Sequence, residues 1–135
     1  MTDYFKYGTK EIEYLKRADK SLAAVIERIG MIERPVIPDI FSALVHSIVG
    51  QQISTKAHHT VWERMKRETG KISPDTLDCL SLETLQQFGM TFRKAAHIKS
   101  AARKIAAGEF DIDSLHSLPD EEVRLKLSEL DGIGI

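Results

Sequence analysis

With a single cysteine, Cys79, the chain cannot form an internal disulfide or a metal site built from several thiolates, and the apolar setting LDCLSL predicts a buried, inert thiol. No apolar run approaches the roughly 20 residues that a membrane span requires. The N-terminus, MTDYFKYGTKEIEY, has neither the apolar core of a secretory signal nor the acid-poor character of a transit peptide. We therefore expect a cytoplasmic setting in a bacterium or a nuclear one in a eukaryote. Neither H-E-x-x-H nor C-x-x-C occurs, and the five histidines show no metal-ligand spacing. Strand-like alternation is also missing.

What the chain does have is 135 residues, enough for one domain with its own core. Apolar residues recur at intervals of three and four, and cap residues fall where helix ends need them, so we expect a single all-α unit over 1–135. Asp19, Asp39, Ser54, Ser73, Ser81 and Thr91 are placed to cap helices, and Gly30, Gly70, Gly89 and Gly108 to end them. Pro35 and Pro38 make 31–38 an extended linker between helices. The helix from about Ile40 to Gly50 is mostly apolar and reads as central and buried. Trp62 falls on the apolar stripe of the next helix, which predicts a core position.

Net charge is −1, but the charge is unevenly spread. From Phe92 to Ala107 there are five bases (Arg93, Lys94, Lys99, Arg103, Lys104) and no acid, whereas eight acids from Glu109 to Ile135 face only Arg124 and Lys126. A basic helix of this kind is either a solvated face or a phosphate-binding stripe.

Three turns invite a chemical reading. In IVGQQIST the adjacent Gln51 and Gln52 carry amides that donate and accept at once, suited either to a base edge or to backbone at a helix end. In GMTFRKAAH, Met90 is expected at an exposed turn and Phe92 in the core, while Arg93 and Lys94 sit at a helix start. Cations there oppose the helix dipole unless an anion arrives. In LSELDGIGI, two glycines permit a tight hairpin with exposed N–H groups for phosphate, although a glycine helix end has the same letters.

In order, ADKSLAAVIERIG, FSALVHSIVGQQISTKAHHTVWERM, LQQFGMTFRKAAHIKSAARKI and LSELDGIG resemble the successive segments of helix-hairpin-helix (HhH-GPD) DNA glycosylases of the 3-methyladenine II type. The resemblance runs from about Tyr14 to the last residue. It implies the multi-helix glycosylase fold, with 120–135 as the first helix and hairpin of the helix-hairpin-helix motif and the chain truncated there. It also implies base-excision repair of alkylated bases, in which a flipped nucleotide loses its base by N-glycosidic hydrolysis. By this resemblance Gln52 is the wedge that fills the gap left by the flipped base, with Gln51 and Ser54 beside it in the groove. Met90 and Thr91 approach the opposite strand, Arg93 and Lys94 its backbone, and Gly132, Ile133 and Gly134 grip phosphate. The backbone carbonyls of Ser128, Leu130 and Ile133 are candidates for holding a sodium or potassium ion, and no other cofactor is implied. The expected partner is double-stranded DNA with damaged bases, bound by a monomer when the protein is complete, and no membrane is involved.

Two departures from the family pattern bear on this. Asp131 stands where many members have proline, placing a negative charge beside the phosphate site. The family's catalytic aspartate falls beyond Ile135, so no catalytic residue is assigned here and the 135 residues alone are expected to be inactive. The alternatives are a non-catalytic DNA-binding or scaffold fragment, and an oxidised-base or mismatch glycosylase of the same fold.

Overall fold

Capping decides where the helices begin. In the computed structural model, which describes residues 2–134, every aspartate, serine or threonine expected to cap does so. Where one helical unit was expected, the chain divides into two compact units, Met1–Pro38 and Asp39–Ile135.

The first unit contains β1 (Asp3–Tyr4), α1 (Thr9–Ala18), α2 (Lys20–Ile29) and β2 (Pro35–Val36). Asp19 breaks the helical run with extended backbone and accepts the Leu22 N–H at 2.9 Å, so one residue ends α1 and starts α2. Gly30, at φ +80°, closes α2. The expected absence of strands is corrected on a small scale, because β1 pairs antiparallel with β2, Asp3 opposite Val36. Pro35 holds the backbone extended and needs no donor on the open edge, which suits a two-stranded ribbon. The Tyr7 hydroxyl secures the same linker, accepting the Ile32 N–H at 2.8 Å and donating to the Ile32 carbonyl.

The second unit is α3 (Ile40–Gly50), α4 (Thr55–Thr69), α5 (Pro74–Asp78), α6 (Leu82–Gln87), α7 (Phe92–Ala106), a 3-10 turn (Asp113–Ser117) and α8 (Asp120–Ser128). The central position of α3 follows from its composition: Phe41, Leu44, Val45, Ile48 and Val49 are all buried. Helix α7 packs against α3, α5 and α6, burying Ile98 together with Ala95, Ala101 and Ala102, whose small side chains let the helices approach closely. Trp62 is buried as expected. Cys79 is exposed, correcting the expectation of a buried thiol. Helix α5 has only five residues, and its core position is taken by Leu77, so Cys79 falls just beyond it on the outer side.

Candidate nucleic-acid interface

The three turns meet. Gln51, Gln52 and Ile53 from the α3–α4 turn, Thr91, Arg93, Lys94 and His97 from the start of α7, and Gly132 from the last turn line one open cleft of about 690 Å³. These segments are up to 81 residues apart in sequence and are joined directly, since the Gln51 side-chain amide donates to the Gly132 carbonyl at 3.1 Å. No carboxylate lines the cleft among the described residues.

The Gln51–Gln52 turn has an unusual backbone. Gln52, at φ +55°, is the single non-glycine residue with positive φ among the described residues, a conformation that costs about 1–2 kcal/mol for a residue with a Cβ. Its neighbours hold it there. The Lys94 ammonium donates to the Val49 carbonyl at 2.8 Å and to the Gln51 carbonyl at 2.5 Å, neutralising the negative end of α3. Behind the turn, Gly50 lies on the His58 ring, where an added Cβ would stand 2.5 Å from Cε1. The Gln52 side chain has no hydrogen-bond partner among the described residues and is exposed.

Several expectations change at this level. Lys94 is turned inward to cap α3, where its ammonium is held by the Val49 and Gln51 carbonyls, and partial burial lowers its pKa. Met90 is buried, only 8% exposed, because Gly89, at φ +112°, turns the chain so that Met90 enters the core. Phe92, expected in the core, is 57% exposed at the first position of α7. The side chain this turn presents is therefore Phe92. Thr91 and Ser54 act as helix caps, accepting the N–H groups of Lys94 at 3.3 Å and Ala57 at 3.2 Å. Arg93 remains exposed in the cleft.

The bases of the basic helix divide by what packing brings within their reach. Lys99 donates to the carbonyls of Asp78 and, at 2.6 Å, Leu80, closing the end of α5. Lys104 stands 3.9 Å from the Asp131 carboxylate, which also accepts from the Ser100 hydroxyl at 3.0 Å. Asp131 is thus answered by α7. With Lys94, three of the five bases serve packing, leaving Arg93 and Arg103 exposed.

In the last turn Gly132 has φ +82° and sits against the His97 ring, with room for no side chain: an added Cβ would be 2.2 Å from Nδ1. Its N–H has no partner among the described residues, whereas the Ile133 N–H is taken by the Leu130 carbonyl at 3.2 Å. Gly134 is exposed. His97 was missed from the sequence, although its place four residues after Arg93 and three after Lys94 puts it on the same helix face.

A histidine pair lies behind the α3–α4 turn. The His46 and His58 ring centroids are 4.0 Å apart, His46 meets Trp62 edge to face at 4.9 Å, and His58 Nε2 lies 2.8 Å from the His46 carbonyl oxygen. Burial lowers the His46 pKa from its ordinary 6.5, and the charges of His58 and Lys66 lower it further. The folded chain therefore binds fewer protons at His46 than the unfolded chain. Stability is full above about pH 6.5 and falls as the pH drops below it, levelling off once His46 is protonated in the fold as well. Thermal midpoints measured from pH 7.5 to 5 should show this decline, and H46Q should flatten it.

Residues 45–132, more than half of the chain, match the family model described as HhH-GPD superfamily base excision DNA repair protein. A crystal structure of a DNA-3-methyladenine glycosidase from Bacillus halodurans is 31% identical with a TM-score of 0.74, over 98% of this chain and 62% of that one. The structure of MBOgg1 in complex with a low affinity DNA ligand gives 25% identity and a TM-score of 0.80, over 95% of this chain and 48% of that one. A Bacillus subtilis protein provisionally named DNA-3-methyladenine glycosylase YfjP is 25% identical over 122 residues, 84% of this chain and 42% of its own length. The chain thus spans between about two fifths and three fifths of the length of these relatives. Fold and sequence agree: the chain belongs to the HhH-GPD superfamily of base excision DNA repair proteins.

Proposed function

We propose that the chain supplies the DNA-holding face of a glycosylase that removes alkylated bases such as 3-methyladenine, with base release performed by the whole protein. The observation that carries this reading is the convergence of three turns on one cleft, with an unpartnered glutamine in left-handed backbone between them. A side chain held clear of its own fold is suited to enter a duplex and occupy the space of an extruded nucleotide, which costs a few kcal/mol to open. Gln52 takes that role. Beside it the free Gly132 N–H and the Arg93 guanidinium face the cleft as phosphate ligands. Phe92 offers an aromatic face to an unstacked base of the other strand.

The names of the Bacillus relatives favour alkylated bases as substrates. Such bases are good leaving groups when cationic, so exposure is the main task. The catalytic aspartate is assigned to a family position that these 135 residues do not include. We also assign a monovalent cation to the carbonyls of Ser128, Leu130 and Ile133; a cation there would reinforce the hairpin's hold on phosphate. The complete protein would act as a monomer on chromosomal DNA, in a bacterial cytoplasm or a nucleus.

Incubation of the 135-residue chain, and of a longer form carrying the family's aspartate, with 3-methyladenine-containing duplex tests this reading. Free 3-methyladenine should appear only with the longer form. Release by the short chain would overturn the placement of the catalytic group, and release of oxidised but not alkylated bases by the longer form would overturn the substrate assignment.

A further inference from the structure

The cleft holds two adjacent glutamines, and they are not equivalent. Gln52 is free, whereas Gln51 is engaged at both ends: its carbonyl accepts from Lys94 and its side-chain Nε2 donates to the Gly132 carbonyl. That carbonyl belongs to the same peptide unit as the Ile133 N–H, which donates to the Leu130 carbonyl. Two hydrogen bonds, one to the Gln51 backbone and one from its side chain, therefore tie Lys94 on α7 through Gln51 to the last turn of the described chain. The link is mechanical: with its backbone held by Lys94, the Gln51 side chain has a short reach, and its amide can hold the Gly132 carbonyl in only a narrow range of positions.

We propose that Gln51 is a positioning residue, a clasp that sets the wedge turn against the glycine hairpin so that a gripped phosphate places Gln52 at the adjoining base. The inference rests on the glycosylase reading of the same cleft. It assigns Gln51 no contact with a base, unlike the role in the groove that sequence alone suggested. Three features support the clasp. The Gln51 amide reaches 81 residues across the sequence to a carbonyl, an acceptor only its NH₂ end can satisfy. Gly132 is already fixed from the other side by the His97 ring, so the carbonyl is presented in one direction. Gln52 sits in strained backbone one residue away, which needs an external brace to persist.

The clasp can be read with and without DNA. In Q51M, which keeps the length of the side chain and removes the donor, exchange of the Ile133 amide proton should quicken about tenfold. Unchanged exchange overturns the clasp. For the functional half, full-length protein is mixed with undamaged duplex and with duplex carrying 2-aminopurine beside 7-methylguanine. Q51M should bind undamaged duplex within about twofold of wild type while the rise in 2-aminopurine fluorescence falls about tenfold. Equal losses in both measurements would make Gln51 a direct DNA contact, and no loss in either would make it incidental; both overturn the proposal. Q51N retains the amide but is a methylene too short, and it should behave as Q51M does, deciding the matter should Q51M fail to fold. A wild-type protein that leaves 2-aminopurine stacked would overturn the glycosylase reading instead, with the exchange measurement still testing the clasp.

Discussion

G132A should reduce affinity for duplex DNA at least about tenfold and lower the stability of the fold by about 2–4 kcal/mol. Two independent penalties meet at this position. An alanine at φ +82° occupies left-handed backbone, which costs about 1–2 kcal/mol. Its Cβ would also stand 2.2 Å from His97 Nδ1, within a distance no pair of atoms tolerates, so the ring or the turn must move. His97 lines the cleft beside Lys94 and Arg93, so a ring that swings away enters the space offered to DNA. The free Gly132 N–H moves with the turn, and the phosphate loses a donor fixed in space. Filter binding and chemical denaturation of the same variant measure the two effects. G134A is the control for stability: an added Cβ there meets nothing within 4 Å, so stability should stay close to wild type.

Q52A should leave DNA affinity nearly intact and slow base release by the full-length protein by about 10- to 100-fold, as expected if the wedge offsets part of the few kcal/mol needed to extrude a base. The Gln52 side chain makes no hydrogen bond among the described residues, so its loss removes nothing from the fold. Alanine is no worse in left-handed backbone than glutamine, and the turn should keep its shape. Single-turnover release and thermal unfolding separate the two expectations. A large drop in thermal midpoint would show that Gln52 braces the fold, and an unchanged release rate would remove it from the extrusion step. Comparison with Q51M divides the glutamine pair by role, one acting on the duplex and the other on its neighbour.

The predicted caps all formed because a cap is a local bargain: a serine oxygen and an N–H three residues on need no distant partner. The buried α3 was legible for a related reason, since a helix apolar on most of its surface has nowhere to go but the interior. The misreadings have the opposite character. Met90 and Phe92 are both large and apolar, and which of them enters the core depends on the direction in which Gly89 releases the chain into α7. Cys79 sits in an apolar run, yet its side depends on the exact end of a five-residue helix.

Sequence by itself determined the helical class, the helix starts and the order of segments that marks the HhH-GPD family, because these depend on spacing along one chain. Only the tertiary structure decided what the basic helix is for. Its lysines look alike as letters, and their roles follow from which carbonyls or carboxylates the packing of α3, α5 and the last turn brings within reach: Val49 and Gln51 for Lys94, Leu80 for Lys99, Asp131 for Lys104. The same holds for Gln51 and Gln52. Adjacent and identical, they differ because one meets Gly132 from the far end of the chain and the other faces an open cleft.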